Sequence, residues 1–291
     1  MTLLTFRFAP SPNGDLHLGH AYSALLNQRL AKAMGGRLLL RIEDIDTVRC
    51  TPEFEAGIFR DLEWLGFDWE KPVRRQSRHF GEYQAVLDRL IRDELVYPAF
   101  MSRGEIRAFI ADSEKRGRDW PHDPDGVPLY PAADKALPAR ERSRRIAEGA
   151  AFAWRLDVEA ALARAAKGLS WTEFTDETLS ATRPVEARPQ DWGDVIVARR
   201  DIPTSYHLAV VTDDALQGIS HVVRGQDLYA ATGVQRLLQD ILGLGAPSYH
   251  HHRLIPGPDG RKLSKSLGDS GLAALREAGV SPEGIRKLVG L

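Results

Sequence analysis

Two short stretches of this sequence carry residue types that suit the binding of a phosphate. In the first, His17-Leu18-Gly19-His20, the two histidines are three residues apart and follow a Pro-Ser-Pro-Asn-Gly turn. Residues at that spacing share one face of a helix, and the unpaired N–H groups at a helix N-terminus attract anions. Gly19 has no side chain, so a flat base can lie against the backbone there. Taken alone, the stretch is also typical of two histidines on a helix surface.

The second stretch is Lys262-Leu263-Ser264-Lys265-Ser266, in a loop that opens with Pro256-Gly257-Pro258-Asp259-Gly260. Two lysines three apart can bind a polyphosphate whose negative charge grows in a transition state. In isolation such a loop is usually a solvated turn. The occurrence of both stretches in one chain favours a site for a nucleoside triphosphate.

The elements between these stretches predict a parallel sheet. An apolar strand over 3–8, a helix over 17–34 and a strand over 37–42 follow one another, which is the unit of a parallel sheet with right-handed crossovers. Ligands of such sheets bind at the carboxyl ends of the strands, where residues 7–19 and 43–46 fall. Further helices are predicted over 51–66, 80–95 and 229–242 and in the last 25 or so residues, and strands over 194–200 and 249–255, with two or three more within 205–225.

The bulk composition is that of an ordinary globular protein, with 43% hydrophobic and 27% charged residues among 291. A formal net charge of −1 predicts no strong nonspecific binding to nucleic acid. The single cysteine, Cys50, excludes an internal disulfide framework. Since the chain has no apolar run of about 18 residues and no secretion signal, we expect a soluble cytoplasmic protein that does not bind membranes.

Five blocks in order resemble the class I aminoacyl-tRNA synthetases and, within them, the glutamyl branch. The blocks are RFAPSPNGDLHLGH, RIEDID, PTSYHLAVVTDD, HVVRGQDL and HHRLIPGPDGRKLSKS. The resemblance covers essentially the whole chain and is weakest between about 98 and 168. It implies an α/β fold with the Rossmann-like parallel sheet of the class I catalytic domain, an inserted subdomain and a short C-terminal helical segment.

The domain limits that follow from this resemblance divide the catalytic domain into two halves. Residues 1–97 form the first half and 169–250 the second, with the inserted subdomain over about 98–168 between them. Residues 251–291 hold the KLSKS loop and a short helical end. About 25 residues follow Ser266, so no anticodon-binding domain is expected.

The resemblance also implies a role for each site residue in a ligase-type enzyme that forms an aminoacyl adenylate. The catalytic residues are His17, His20, Lys262 and Lys265. The residues that bind glutamate are Arg7, Ala9, Ser11, Glu43, Tyr206 and Arg224. Those that bind ATP are His17, Gly19, His20, Asp227 and Lys265. A guanidinium binds a carboxylate bidentately, so Arg7 is assigned to the side-chain carboxylate of glutamate and Glu43 to its α-ammonium group.

The short C-terminal segment and the RGQDL block resemble the glutamyl-Q tRNA(Asp) synthetase family. Its members activate glutamate without tRNA and place it on queuosine, the modified base at the wobble position of tRNA(Asp). The expected partners are therefore L-glutamate, ATP and queuosine-bearing tRNA(Asp), and a monomer is expected. The alternatives are a conventional glutamyl-tRNA synthetase core that charges the tRNA 3′ end, and a silent paralogue that binds tRNA or senses glutamate.

The expected cofactors are ATP as a substrate and Mg²⁺ on its phosphates. Many relatives carry zinc in the insertion, bound by cysteines and a tyrosine, but here Asp134 stands where a cysteine could, near Tyr130. No zinc is expected without thiolate ligands, and the insertion is predicted to be held by apolar packing alone. The run His250-His251-His252 lacks an evident third metal ligand, and its role stays open between metal binding and a structural or ATP-side role.

Overall fold

The computed structural model describes residues 3–257 and 271–291, so Lys262 and Lys265 lie outside the described residues. The strands are, in chain order, β1 (Thr5–Phe8), β2 (Arg37–Ile42), β3 (Glu70–Arg75), β4 (Val96–Ala99), β5 (Ala153–Leu156), β6 (Ser170–Phe174), β7 (Thr182–Glu186), β8 (Ile196–Arg199), β9 (His221–Gly225) and β10 (Ser248–His252). The helices are α1 (Leu18–Ala33), α2 (Pro52–Trp64), α3 (Phe80–Arg92), α4 (Arg103–Lys115), α5 (Ala139–Ala147), α6 (Val158–Arg164), α7 (Tyr206–Leu216), α8 (Thr232–Ile241), α9 (Leu272–Glu277) and α10 (Pro282–Val289).

The larger of the described sheets has the strand order β3-β2-β1-β9-β10-β6-β7. Neighbouring strands run parallel, except that β6 and β7 pair antiparallel. The order reverses between β1 and β9, because the chain proceeds to β2 on one side and to β10 on the other. The carboxyl ends at such a switch point leave a crevice in which ligands bind. The predicted α/β class with a Rossmann-like parallel sheet is therefore confirmed.

Local sequence explains where helix α2 begins. Thr51 caps α2, since its Oγ1 accepts a hydrogen bond from the main-chain N–H of Phe54, and Pro52 occupies the first helical position. The helices predicted over 17–34, 51–66 and 80–95 are confirmed, with each end within three residues of the predicted limit. The predicted C-terminal helical segment is also confirmed, as α9 and α10.

The strands predicted within 205–225 are wrong for the first part of that segment, which forms helix α7 before strand β9 begins. Ser205 caps the helix by accepting a hydrogen bond from the main-chain N–H of Leu208. Every residue from Leu208 to Asp214 is buried, so the sequence shows no amphipathic period. A short apolar run of this kind cannot be told from a buried strand by its periodicity.

The smaller of the described sheets shares an apolar core with the larger one, through Val96, Leu156 and Val197. Strands β4, β5 and β8 make a three-stranded antiparallel sheet, and α4 and α5 lie in the connection from β4 to β5. Strands β6 and β7 then return to the larger sheet. The domain limits at 97/98, 168/169 and 250/251 stay predictions. Within the described part of the chain, no helix combines the length and apolar character needed to cross a membrane.

Candidate active site

A cavity of about 550 Å³ lies at the switch point between β1 and β9. It is bounded by the ends of β1, β2, β9 and β10 and by the start of α1. Every described member of the predicted site lines it, namely Arg7, Ala9, Ser11, His17, Gly19, His20, Glu43, Tyr206, Arg224 and Asp227. Residues predicted from separate sequence blocks are therefore brought together in one place.

The two histidines form the N-terminal cap of α1. The main-chain N–H of Gly19 donates to Nδ1 of His17 (3.1 Å), and the N–H of His17 donates to Nδ1 of His20 (3.1 Å). This is a reciprocal capping box, which requires residues three apart. Because each Nδ1 is an acceptor, each neutral ring carries its proton on Nε2. The rings lie 3.8 Å apart between centroids, so two imidazole donors are adjacent at the helix N-terminus.

Two glycines of the cavity wall are required by the side chains next to them. A Cβ added at Gly19 would lie 3.0 Å from Cε1 of His17, so a side chain there would press on the capping ring. This reason adds to the expectation that a base lies against Gly19. At Gly225, a Cβ would collide with the carboxylate of Asp227. The missing side chain at each glycine thus leaves room for a predicted ATP-binding residue, His17 or Asp227, in its observed position.

A charge cluster lies behind the part of the cavity lined by Arg7 and Glu43; we call it the Asp214 cluster. It consists of Arg7, Arg41, Glu43, Asp213 and Asp214. Asp214 Oδ1 accepts from Nε of Arg7 (3.3 Å) and from Nη1 of Arg41 (2.7 Å), and Glu43 Oε1 accepts from Nη2 of Arg41 (3.0 Å). Asp213 accepts from the Tyr83 hydroxyl (2.9 Å).

Two side chains of this cluster have polar atoms without a hydrogen bond inside the cluster. The terminal nitrogens of Arg7 and the Oε2 atom of Glu43 make no hydrogen bond to residues 3–257 or 271–291. Both side chains line the cavity. A buried guanidinium fork with two free nitrogens suits a carboxylate, and the free carboxylate oxygen suits an ammonium group.

The electrostatics of the cluster favour a positively charged partner for Glu43. Burial raises the pKa of the Glu43 carboxyl, and the nearby Arg41 and Arg7 only partly oppose this. Burial acts in the same direction on Asp214, but Arg7 and Arg41 outweigh it and hold the pKa of Asp214 below its usual range. An ammonium group beside Glu43 would stabilise the ionised carboxylate.

Arg224 enters the cavity from β9 with most of its donors engaged. Nη2 donates to Thr232 Oγ1 (2.8 Å) and to the Leu228 carbonyl oxygen (3.2 Å), and Nη1 donates to the Tyr206 hydroxyl (3.4 Å). Burial raises the pKa of Tyr206, so its hydroxyl stays protonated at neutral pH. Arg224 therefore presents less of its fork to a ligand than Arg7 does.

The three histidines of β10 have different surroundings. His250 and His252 each donate from Nδ1 to a main-chain carbonyl oxygen, of Phe174 (3.0 Å) and Arg253 (2.8 Å) respectively, whereas His251 contacts Glu173 and Arg224. His252 also lines the cavity. The described ranges contain no group of three His, Cys, Asp or Glu side chains that could hold a metal ion.

Hydrogen bonds and ion pairs also stabilise the predicted insertion, so the prediction that apolar packing alone holds it is wrong. We call this second set the Asp194 cluster; it consists of Tyr97, Tyr130, Asp134, Lys135, Arg155, Asp157 and Asp194. Asp194 accepts from the Tyr97 hydroxyl (2.7 Å) and from Lys135 (2.9 Å). Asp134 accepts from the Tyr130 hydroxyl and from the main-chain N–H of Phe100 (2.9 Å).

Sequence reasoning missed several residues of the site. Asn13, Ser23, Leu228 and Arg253 also line the cavity, as does His252, whose role the sequence left open. Arg41 and Asp214 stand behind it and were not singled out, although both lie in blocks that carried the resemblance. The available signal was an uncompensated charge in an apolar run: Arg41 in LLLRI and Asp214 in LAVVTDDAL. Such charges are buried only when they are paired.

Comparison with known proteins agrees with this geometry. The family model for the catalytic domain of tRNA synthetases class I (E and Q) matches residues 3–291. A crystal structure of a glutamate-tRNA synthetase from Elizabethkingia anophelis superposes with a TM-score of 0.78 at 26% identity, over 99% of this chain and 61% of that one. Fold and family model thus define the catalytic domain of a class I synthetase, a ligase class that uses ATP as a substrate.

Two curated relatives narrow the family. A glutamyl-Q tRNA(Asp) synthetase of Rhodobacter capsulatus is 44% identical over 287 residues, which cover 98% of this chain and 99% of the relative. A glutamate–tRNA ligase of a Synechococcus species is 35% identical over 98% of this chain, which spans 56% of that ligase. The chain belongs to the glutamyl-Q tRNA(Asp) synthetase family of class I tRNA synthetases.

Proposed function

We propose that this chain activates L-glutamate with ATP to give glutamyl-adenylate without tRNA, and transfers the glutamate to queuosine at the wobble position of tRNA(Asp). One observation carries the proposal. Every described residue assigned to glutamate or ATP lines one cavity, and this cavity lies at the switch point of a class I synthetase sheet. The 44% identity to a named glutamyl-Q tRNA(Asp) synthetase supports the choice of acceptor.

Two of the three charged groups of glutamate orient it. Its side-chain carboxylate accepts two hydrogen bonds from the terminal nitrogens of Arg7, whose Nε is held by Asp214. Its α-ammonium group donates to Oε2 of Glu43, with Ala9 and Ser11 beside it in the wall. Arg224 and Tyr206 close the opposite side. This arrangement leaves the α-carboxylate as the free nucleophile.

ATP occupies the part of the cavity formed by the start of α1 and the end of β9. The Nε2–H groups of His17 and His20 donate to the phosphates at the helix N-terminus, and Asp227 accepts from the ribose. Lys265, assisted by Lys262, binds the phosphates from the KLSKS loop. Mg²⁺ would be held through the phosphates of ATP, where it would neutralise the charge that develops on them.

The reaction then needs no nucleophile from the protein. An oxygen of the α-carboxylate forms a bond to the α-phosphorus, and the bond from that phosphorus to pyrophosphate breaks. A hydroxyl of queuosine next attacks the acyl carbon, loses its proton, and AMP leaves with the electron pair of the anhydride bond. Positioning and stabilisation of the developing phosphate charge supply the rate.

The test measures incorporation of labelled glutamate, with ATP, into tRNA(Asp) that carries or lacks queuosine. Each substrate is also prepared without its 3′-terminal adenosine. We expect labelling that requires queuosine and survives removal of the adenosine. Labelling of tRNA(Glu) that disappears with the adenosine would identify a conventional synthetase core, and the absence of any glutamate-dependent pyrophosphate exchange would refute activation altogether.

A further inference from the structure

Arg224 is fixed from behind the cavity by a histidine that does not line it. Nε of Arg224 donates to Nε2 of His251 (3.1 Å). On the other side of the same ring, Nδ1 donates to Oε2 of Glu173 (2.9 Å). The side chains of His251 and Glu173 are 1% and 6% exposed, so water competes little for these contacts.

The charges at the two ends dictate where the proton of His251 lies. Glu173 also accepts hydrogen bonds from Trp171 Nε1 (2.9 Å) and from the main-chain N–H of His251 (2.9 Å). Burial raises the pKa of the Glu173 carboxyl, but these hydrogen bonds and the one from the His251 ring outweigh it and keep the pKa below its usual range. A carboxylate needs a donor at Nδ1, and a guanidinium needs an acceptor at Nε2. Neutral imidazole with its proton on Nδ1 satisfies both groups.

This tautomer differs from that of the histidines that line the cavity. His17 and His20 accept at Nδ1 and carry their protons on Nε2, whereas His251 donates from Nδ1 and accepts at Nε2. Burial together with Arg224 lowers the pKa of His251 to about 4. A protonated His251 would place an N–H against the N–H of Arg224 and break the contact.

We infer that Glu173 and His251 are positioning residues that lock the guanidinium of Arg224 in the orientation that binds glutamate. With Nε held by His251 and Nη2 by Thr232 and Leu228, only Nη1 remains for the Tyr206 hydroxyl and the substrate. The direction in which Nη1 of Arg224 points therefore depends on His251 Nε2, which accepts from Nε at the other side of the guanidinium. This inference rests on the proposed role of Arg224 in glutamate binding.

The test compares two amide substitutions of His251 in glutamate-dependent ATP–pyrophosphate exchange. In His251→Asn the amide nitrogen can take the place of Nδ1 and donate to Glu173, but nothing accepts from Arg224. In His251→Gln the longer side chain can place its amide oxygen near the position of Nε2 and accept from Arg224. We expect His251→Asn to raise the KM for glutamate about tenfold or more, with the KM for ATP unchanged, and His251→Gln to restore most of the affinity.

Two results would overturn the inference. One is an equal rise in the glutamate KM for both variants, and the other is a parallel rise in the KM for ATP, since either would indicate general loss of packing. A substrate-free measurement keeps the inference separate from the proposed function. Nitrogen-15 spectra of the histidine rings in the whole wild-type chain should show His251 protonated at Nδ1 alone. Protonation at Nε2 would refute the inference even if glutamate activation were absent.

Discussion

The Asp214 and Asp194 clusters are both sets of buried or half-buried charged and polar side chains, but they differ in whether their polar ends are paired. In the Asp214 cluster, Arg7 and Glu43 each pair inward with one part of the side chain and leave another part in the cavity. In the Asp194 cluster, the Tyr97 hydroxyl, Lys135 and Arg155 all turn onto acceptors or rings of the cluster itself. We call the first cluster open, because it leaves polar atoms unpaired in the cavity. We call the second closed, because its named polar ends pair with one another, although Tyr97, Lys135 and Asp157 also line a surface pocket.

The difference shows how the same interactions serve two purposes. A charge pair with a free end has already lost most of its rotamer freedom, so a ligand that binds there needs to order little more. A closed cluster adds charge pairing between elements that also pack into the main apolar core, through Val96, Leu156 and Val197. The apolar group that surrounds Tyr97 and Tyr130 includes few residues, and the connection from β4 to β5 is largely polar and exposed.

The largest expected effect comes from the central carboxylate of each cluster. Asp214→Ala leaves the guanidiniums of Arg7 and Arg41 buried without this partner, which should cost about 3–5 kcal/mol of unfolding free energy and weaken glutamate binding. Asp194→Ala should also destabilise the fold while leaving the glutamate KM of the folded fraction unchanged. Urea unfolding and pyrophosphate exchange measure the two effects. A raised glutamate KM in Asp194→Ala would contradict the distinction between open and closed clusters.

A second comparison uses one arginine from each cluster. Arg7→Ala removes a bidentate charged contact with the substrate, so we expect the KM for glutamate to rise roughly a hundredfold or activation to be lost. Arg155, which stacks 3.9 Å above the ring of Tyr130, is the matched control. Arg155→Ala should lower the midpoint of thermal unfolding and leave both KM values as in the wild type. If Arg7→Ala left the KM for glutamate unchanged, the assignment of Arg7 to the side-chain carboxylate of glutamate would be wrong.

Buried histidines and buried tyrosines should cause losses of stability at opposite ends of the pH range. The histidines are His207, in helix α7, and His251, in strand β10. Burial lowers the pKa of His207 to about 4, and that of His251 to about 4 with Arg224 contributing. The unfolded chain takes up these protons near pH 6.5, so stability is complete above that pH. It should fall by about 1.4 kcal/mol per pH unit for each histidine as the pH drops towards 4.

The tyrosines of the Asp194 cluster act in the other direction. Burial and the neighbouring aspartates raise the pKa of Tyr97 and Tyr130 above the value of about 10 in an unfolded chain. Their contribution is complete below pH 10 and is lost as the pH rises above it. Unfolding free energies at pH 5, 7 and 10.5 test both edges. If the unfolding free energy of Tyr97→Phe fell above pH 10 as steeply as that of the wild type, the prediction for the tyrosines would be contradicted.

The smallest effect is expected from a single hydroxyl of the closed cluster. Tyr130→Phe removes the donor to Asp134, which still accepts from the main-chain N–H of Phe100. We expect a loss of about 1 kcal/mol in unfolding free energy and no change in the glutamate or ATP KM. Chemical denaturation with parallel exchange assays provides the measurement, and a kinetic effect without a stability effect would argue that the cluster communicates with the cavity.

The sequence by itself determined the elements with local signals and the described residues that line the cavity. The cap at Thr51-Pro52 and the apolar strand before the Pro-Ser-Pro-Asn-Gly turn are local features, and each predicted its element correctly. The blocks around His17, Glu43 and Arg224 predicted the wall of the cavity, because ligand-binding residues follow directly on the strands whose ends they occupy. The capping box shows a further local cause of the His17–His20 spacing.

Only the tertiary structure decided which buried charges meet. Arg7 and Asp214 are 207 positions apart, and Arg41 and Asp214 are 173 apart, so no pattern within a short window connects them. The same holds for Glu173, His251 and Arg224. Helix α7 also could not be predicted from a local pattern, because it is buried on every side and its sequence has no amphipathic periodicity. Such pairings depend on the order of strands in the sheet. That order is settled by the burial of whole elements against one another, and a partner for a buried charge is specified only once those elements are in place.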